Sequence, residues 1–290
     1  FKFLVKRLIF AIFGRYYSKF YYYYQKIIIF FNLLINRLVS FFFRFRNQQI
    51  SLNYNLSQGK NLSFDFEKTK SILKENGMDF FDRELSWHFH IFANFATDKS
   101  LQILEIGTNR GSTANFLSKI FINSKITTLD LPDIDFSSEI SGNIHKVPVG
   151  GQILSNSIPN LDTQKILEVS EEFINLRSKN LNKGNIVFIQ KDSLLLMDMF
   201  EKRSFDFIWV DGDHVAPQVS FDILQALHLC KKGGYILVDD VIKHGGNQTT
   251  TSYHSHKIIQ NLTRRKFIKS EYFYKRLKLS NSSLKKQYFI

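Results

Sequence analysis

Residues 102–111, Gln-Ile-Leu-Glu-Ile-Gly-Thr-Asn-Arg-Gly, decide the fold. An apolar run (Ile103, Leu104, Ile106) ends in Glu105-x-Gly107-x-x-x-Gly111, and an amphipathic stretch (Ala114, Phe116, Leu117, Ile120, Phe121) follows. That order predicts a buried parallel strand, a tight glycine turn and a helix. Glycine is required where a Cβ would block the turn or the approach of a ligand to the backbone. The helix start then offers N–H groups to an anion. A nucleotide-type ligand on an α/β sheet is the expectation. The spacing differs from the Gly-x-Gly-x-x-Gly of dinucleotide enzymes.

Four further runs extend the pattern. Lys125-Ile-Thr-Thr-Leu-Asp130 ends in an acid 19 residues after Gly111, where a carboxylate can accept both hydroxyls of a ribose. Asn185-Ile-Val-Phe-Ile-Gln leads into Lys191-Asp192-Ser193, and Phe205-Asp-Phe-Ile-Trp-Val210 ends in Asp211-Gly-Asp-His214. A helical stretch from Val219 to Leu229 is expected to stop at Lys231-Lys232-Gly233-Gly234, with cations on its negative end. Tyr235-Ile-Leu-Val238 closes on Asp239-Asp240. Five strands alternating with helices predict a doubly wound, mostly parallel α/β sheet of Rossmann-like type. Ligands bind beyond the carboxyl ends of such strands, where each of these acids falls.

Residues 100–242 resemble a class I S-adenosylmethionine-dependent methyltransferase. Phe205–His214 and Lys231–Val241 resemble the small-molecule and sugar O-methyltransferase branch that includes macrolide-sugar methyltransferases. The resemblance implies that the turn residues Glu105, Gly107, Asn109 and Gly111 hold the methionine part of the cofactor. It places the ribose on Asp130 and the adenine beside Asp192 and Ser193, with Asp211 also at the cofactor. Metal-dependent relatives hold a divalent ion at the fourth and fifth strand tips. Here those tips carry Asp211, Asp239 and Asp240, with Asp213 a competing ligand. Three converging carboxylates repel unless a cation or protons neutralise them, and all-oxygen ligation suits Mg2+ or Mn2+. The other reading is that these acids cap turns.

A hydroxyl acceptor must lose its proton to a base or to a metal. His214 and His244 stand nearest the expected site and are the candidate bases. His254 and His256 fall in a Ser/Thr/His-rich stretch, Gly245 to Ser255, that reads as a loop over the acceptor. His88 and His90, two apart on a helix, face different sides and do not share a metal. The connection between Asp130 and Asn185 exceeds a simple crossover, so residues 131–184 read as a lid insertion with a helix over Thr163–Asn180.

Residues 1–64 carry ten Lys or Arg and no acid, while the other 226 residues carry a net +3. Arg15, Lys19, Lys26, Arg37 and Arg44 recur at helical intervals among Phe, Tyr, Ile and Leu. The longest uncharged apolar stretch there, Ile27 to Asn36, is too short to span a bilayer. A cationic, aromatic, amphipathic helix suits an anionic membrane surface or a partner subunit, including a second copy of the chain. Its interrupted apolar stretch and lack of a small-residue cleavage site argue against a signal peptide. The chain begins at Phe, so an earlier segment is expected. Nucleic acid is disfavoured, because the charge lies off the catalytic part and no RNA-binding motif is present. The single cysteine, Cys230, reads as a core residue at a helix end and fits a reducing cytoplasm, with attachment at the inner membrane face.

The expected organisation is an extension (1–64) and an S-adenosylmethionine-dependent domain (65–290) ending in an antiparallel hairpin. Its expected activity is methyl transfer to a hydroxyl of a sugar or other small molecule. Two alternatives remain: a nicotinamide-dependent oxidoreductase, disfavoured by the glycine spacing, and a non-catalytic membrane-attached binding module.

Overall fold

Strand β1 (Gln102–Ile106) divides its side chains between two apolar layers. Ile103 packs with Phe92, Phe116, Phe207 and Trp209, while Leu104 and Ile106 pack with Leu129, Ile208, Val210 and Ile223. Both faces are buried because helices cover both, as parallel sheets require. Full burial of each such side chain contributes roughly 1.5–3 kcal/mol. The structure, a computed structural model, describes residues 71, 74, 92, 95, 98–137, 144–148, 163–242, 253–270, 272–280 and 283–289. The N-terminal extension, His88, His90 and His244 lie outside the described residues.

In chain order β1 is followed by α1 (Ser112–Ile120), β2 (Lys125–Asp130), β3 (Ile134–Ser137), β4 (Ile144–Val147), α2 (Thr163–Leu181) and β5 (Ile186–Gln190). Then come α3 (Leu196–Met199), β6 (Phe205–Val210), α4 (Gln218–Leu229), β7 (Cys230–Val238), β8 (Val241–Ile242), α5 (Tyr253–Arg264), β9 (Phe273–Ser280) and β10 (Ser283–Phe289). The main sheet is parallel, in the order β5-β2-β1-β6-β7. The chain moves outward from β1 to β2 and β5, then returns to the other side of β1 with β6. The switch point therefore lies between the carboxyl ends of β1 and β6, where this sheet class binds ligands.

The expected lid segment contains two different things. Helix α2 packs against α1, β4 and β5, so it is the crossover to β5, while β3 and β4 form a separate two-stranded ladder.

Three expectations change. The Lys231–Gly234 run does not end a helix: α4 stops at Leu229 and β7 begins at Cys230. A Cβ on Gly234 would stand 2.7 Å from the Asp206 carbonyl oxygen and 2.8 Å from Cys230 Sγ, so glycine lets the run bulge against β6. Lys231 Nζ then donates to both Asp206 carboxylate oxygens, at 2.8 and 2.9 Å, instead of facing a helix end. Cys230 is accordingly a half-buried strand residue. His254 and His256 stand on α5 rather than in a loop, because that helix already begins at Tyr253. The terminal hairpin, β9 with β10, is present, yet it pairs with β8 in a sheet of its own, β8-β10-β9. Among the described residues no helix is long and apolar enough to cross a membrane.

Candidate active site

Backbone contact between two strand tips organises the carboxyl edge. Gly107 has φ +99°, and a Cβ there would stand 2.3 Å from the Asp211 carbonyl oxygen. The Asp211 N–H in turn donates to the Ile106 carbonyl at 2.8 Å. Gly107 and Thr108 N–H both donate to the Leu129 carbonyl, which ties the turn to β2. Asn109 sits at φ +49°, a left-handed conformation that Asn tolerates, and its N–H donates to Asp130 Oδ2 at 2.7 Å. Leu131 N–H donates to Asp130 Oδ1 at 2.9 Å. Burial raises the Asp130 pKa, against the lowering effect of those two N–H bonds and of Arg177. Gly111, at φ +71°, caps α1, and a Cβ there would meet Leu181 Cδ2 at 2.8 Å. The first N–H groups of α1, which have no intrahelical acceptor, follow it.

Glu105 lies beneath this turn, fully buried, in register with Thr128 on β2 and Trp209 on β6. Thr128 Oγ1 donates to Glu105 Oε2 at 2.5 Å and stands 2.6 Å from Thr108 Oγ1. Its carboxyl therefore supports the glycine turn from below. Burial pushes its pKa up to about 8, against the opposing effect of the Thr128 bond.

At the third tip, Asp192 Oδ1 accepts from Leu194 N–H at 2.9 Å. Ser193 Oγ donates to Asp222 Oδ1 at 2.7 Å, and Gln218 Nε2 donates to both. Asp222 is buried under Gly212, its pKa pushed up to about 6 by burial. The Ser193–Gln218–Asp222 group locks the start of α4 to the end of β5. The sequence reading missed Gln218 and Asp222, although polar residues four apart in an apolar helix were a usable signal. It also missed Arg177 of α2, which is buried, donates to Asp133 Oδ2 at 2.5 Å, and lies over the rings of Phe173 and Phe188. That pair pins α2 to the loop after Asp130.

The fourth and fifth tips bring three of the expected residues together. His214 Nε2 lies 3.8 Å from Asp211 Oδ1 and 3.8 Å from Asp240 Oδ2. Asp240 reaches that place through a left-handed backbone, φ +51°. Asp213 is not a rival ligand: its Oδ1 accepts from Val215 N–H at 2.9 Å and closes a turn. Asp239 is buried, and its Oδ1 accepts from Asp240 N–H at 2.7 Å. Among the described residues no three His, Cys, Asp or Glu side chains are grouped closely enough to hold an ion. The Asp211, Asp239 and Asp240 carboxylates, expected at a metal, are each engaged otherwise in this arrangement. One of them serves a turn, and the other two flank an imidazole. His254 Nδ1 accepts from Ala216 N–H at 3.4 Å, and the buried His256 pairs with the Tyr272 hydroxyl at 2.9 Å. Both rings are thus engaged by neighbouring elements of the fold.

Residues 104–241 match the family described as a methyltransferase domain. No curated protein matches the chain. Among solved structures, the O-methyltransferase from Bacillus cereus in complex with SAH is 14% identical over 84% of this chain and 89% of that one, with a TM-score of 0.41. A SAM-dependent methyltransferase from Aquifex aeolicus is 14% identical over 76% of this chain and 97% of that one, with a TM-score of 0.40. Neither likeness reaches a level that transfers a substrate. The matched stretch spans the parallel sheet from β1 to β7 and its switch point.

The parallel-sheet domain should show a pH-dependent stability set by Glu105. Its folded pKa of about 8 lies above the ordinary 4.5, so the folded state binds a proton that the unfolded chain has released. Stability from this group is complete below 4.5 and falls as pH rises towards 8. Glu105→Gln removes the ionisation and should flatten denaturation midpoints across that window. A variant whose midpoints still follow the wild-type pH profile would show that another group is responsible.

Proposed function

We propose that this chain transfers a methyl group from S-adenosylmethionine to a hydroxyl of a sugar or other small molecule. The reading rests on the His214 imidazole, held between Asp211 and Asp240 beside the β1/β6 switch point. The cofactor supplies an electrophilic sulfonium methyl. The glycine turn and the α1 N-terminus would receive its methionine part, and Asp130 its ribose, using carboxylate lone pairs beyond those bonded to Asn109 and Leu131. Asp192 and Ser193 would border the adenine. His214 Nε2 would take the acceptor's proton as the methyl passes from sulfur to the hydroxyl oxygen. The two carboxylates stabilise the imidazolium that results. Alignment of hydroxyl oxygen, methyl carbon and sulfur supplies the rest. Metal assistance is the other route for the same proton; it would ask Asp239 to give up its bond to Asp240. A sugar acceptor is drawn from the sequence resemblance, and the β3–β4 ladder in the insertion after Asp130 would help to shape its pocket.

Calorimetry with S-adenosylhomocysteine and with NAD tests the cofactor. S-adenosylhomocysteine should bind and NAD should not. Asp130→Asn should weaken binding by roughly 1–3 kcal/mol, the scale of hydrogen bonds to a charged acceptor. Binding of NAD in place of S-adenosylhomocysteine would return the chain to the oxidoreductase reading.

A further inference from the structure

The net +3 outside the N-terminal extension conceals a division. Residues 241–290 carry eleven Lys or Arg against one acid, Glu271, whereas residues 65–240 carry 18 Lys or Arg against 25 acids. Away from the carboxyl edge, a cavity of about 580 Å³ runs along the edge strand β7, between α4 and the turn after α5. That volume is in the range of small-molecule sites. Its wall mixes apolar side chains, Ile223, Leu227, Ile236, Leu262 and Ile268, with the cations Arg203, Lys232 and Lys269, and with Lys231, which is paired to Asp206. No acid lines it among the described residues.

The turn beside the cavity is built rather than loose. Lys266 takes a left-handed φ of +62°, and Phe267 N–H donates back to the Leu262 carbonyl at 3.0 Å, which closes the end of α5. This holds Phe267 in solvent, 66% exposed, between the exposed cations Arg264, Arg265, Lys266 and Lys269. An aromatic ring fixed among cations suits an interface with anionic lipid, where the ring meets the acyl boundary and the cations meet headgroups. A cavity whose wall is part apolar and part cationic suits an amphiphile with an anionic head.

From this geometry we infer that the cavity along β7 binds an anionic phospholipid. Its acyl chain lies against Ile236 and Leu262, its phosphate lies among Arg203, Lys232 and Lys269, and Phe267 seats the rim in the bilayer. This site is separate from the methyl-transfer edge and does not depend on that assignment.

Cys230, the only cysteine, stands on the cavity wall and reports its occupancy. Burial holds its pKa up at about 11, so a thiol reagent reacts slowly and its rate is easily followed. In the full chain, short-chain phosphatidylglycerol should slow that labelling about ten-fold once it reaches about ten times its dissociation constant, by mass action. Inorganic phosphate and a neutral detergent of equal chain length should not. The double variant Lys232→Glu with Lys269→Glu should lose the protection while keeping its affinity for S-adenosylhomocysteine. In sedimentation, Phe267→Ser should reduce binding to phosphatidylcholine vesicles containing phosphatidylglycerol. Equal protection by phosphate, by the neutral detergent or by an RNA oligonucleotide would overturn the proposal. So would unchanged labelling in the presence of phosphatidylglycerol.

Discussion

Gly107→Ala is expected to abolish cofactor binding and to destabilise the fold by on the order of 3–5 kcal/mol, a backbone strain plus an overpacking cost. The added methyl would stand 2.3 Å from the Asp211 carbonyl oxygen and 2.6 Å from its carbon, in a backbone at φ +99°. Neither neighbour is a side-chain end that can swing aside. The tips of β1 and β6 would separate, and the turn that carries Asn109 to Asp130 would move with them. Gly233→Ala is the internal control, since Gly233 also has a positive φ, +80°, but nothing lies within 4 Å of its added Cβ. It should lose only the strain, about 1–3 kcal/mol. Thermal or chemical denaturation with S-adenosylhomocysteine calorimetry measures both. Equal losses in the two variants would mean that the β1–β6 contact does not constrain the site.

His214→Asn should lower kcat about 10²- to 10⁴-fold, the usual range for removing a general base, while leaving S-adenosylhomocysteine affinity unchanged. The basis is the 3.8 Å approach of Nε2 to both Asp211 and Asp240. The loss should fall on kcat with KM for the cofactor unchanged, a split that a merely structural histidine would not produce. With His214 as the base, wild-type turnover should survive excess chelator. Loss of activity in chelator, restored by Mg2+ or Mn2+, would transfer the proton step from His214 to a metal. Activity assays with and without chelator, on wild type and variant, separate the two routes.

The strands were the legible part. Lys125–Asp130 and Phe205–Val210 coincide with β2 and β6 at both ends, because apolar runs closed by an acid or by glycine mark both length and tip. The Lys231–Gly234 run misled for a physical reason: Lys-Lys-Gly-Gly matches the chemistry of a helix end. What opposes that reading, the Asp206 carboxylate and the Asp206 carbonyl on β6, lies 25 and more residues away. The terminal hairpin was legible as a pair, but not its partner, since β8 contributes only two residues to the ladder with β10. Asp222 and Arg177 read as ordinary helix polar residues until β5 and the loop after β2 were brought against them.

By itself the sequence determined the five-stranded parallel sheet, its glycine turn and the row of acids at the strand ends. Period, apolar run length and the need for glycine are local properties. Tertiary structure decided what each acid does. Glu105 became a buried support, Asp130 an anchor for the Asn109 turn, Asp239 a turn acceptor, and Asp211 with Asp240 the flanks of an imidazole. A carboxylate's role depends on burial and on the donors within about 3 Å. Those donors come from strands distant in sequence, so only the folded chain assigns them.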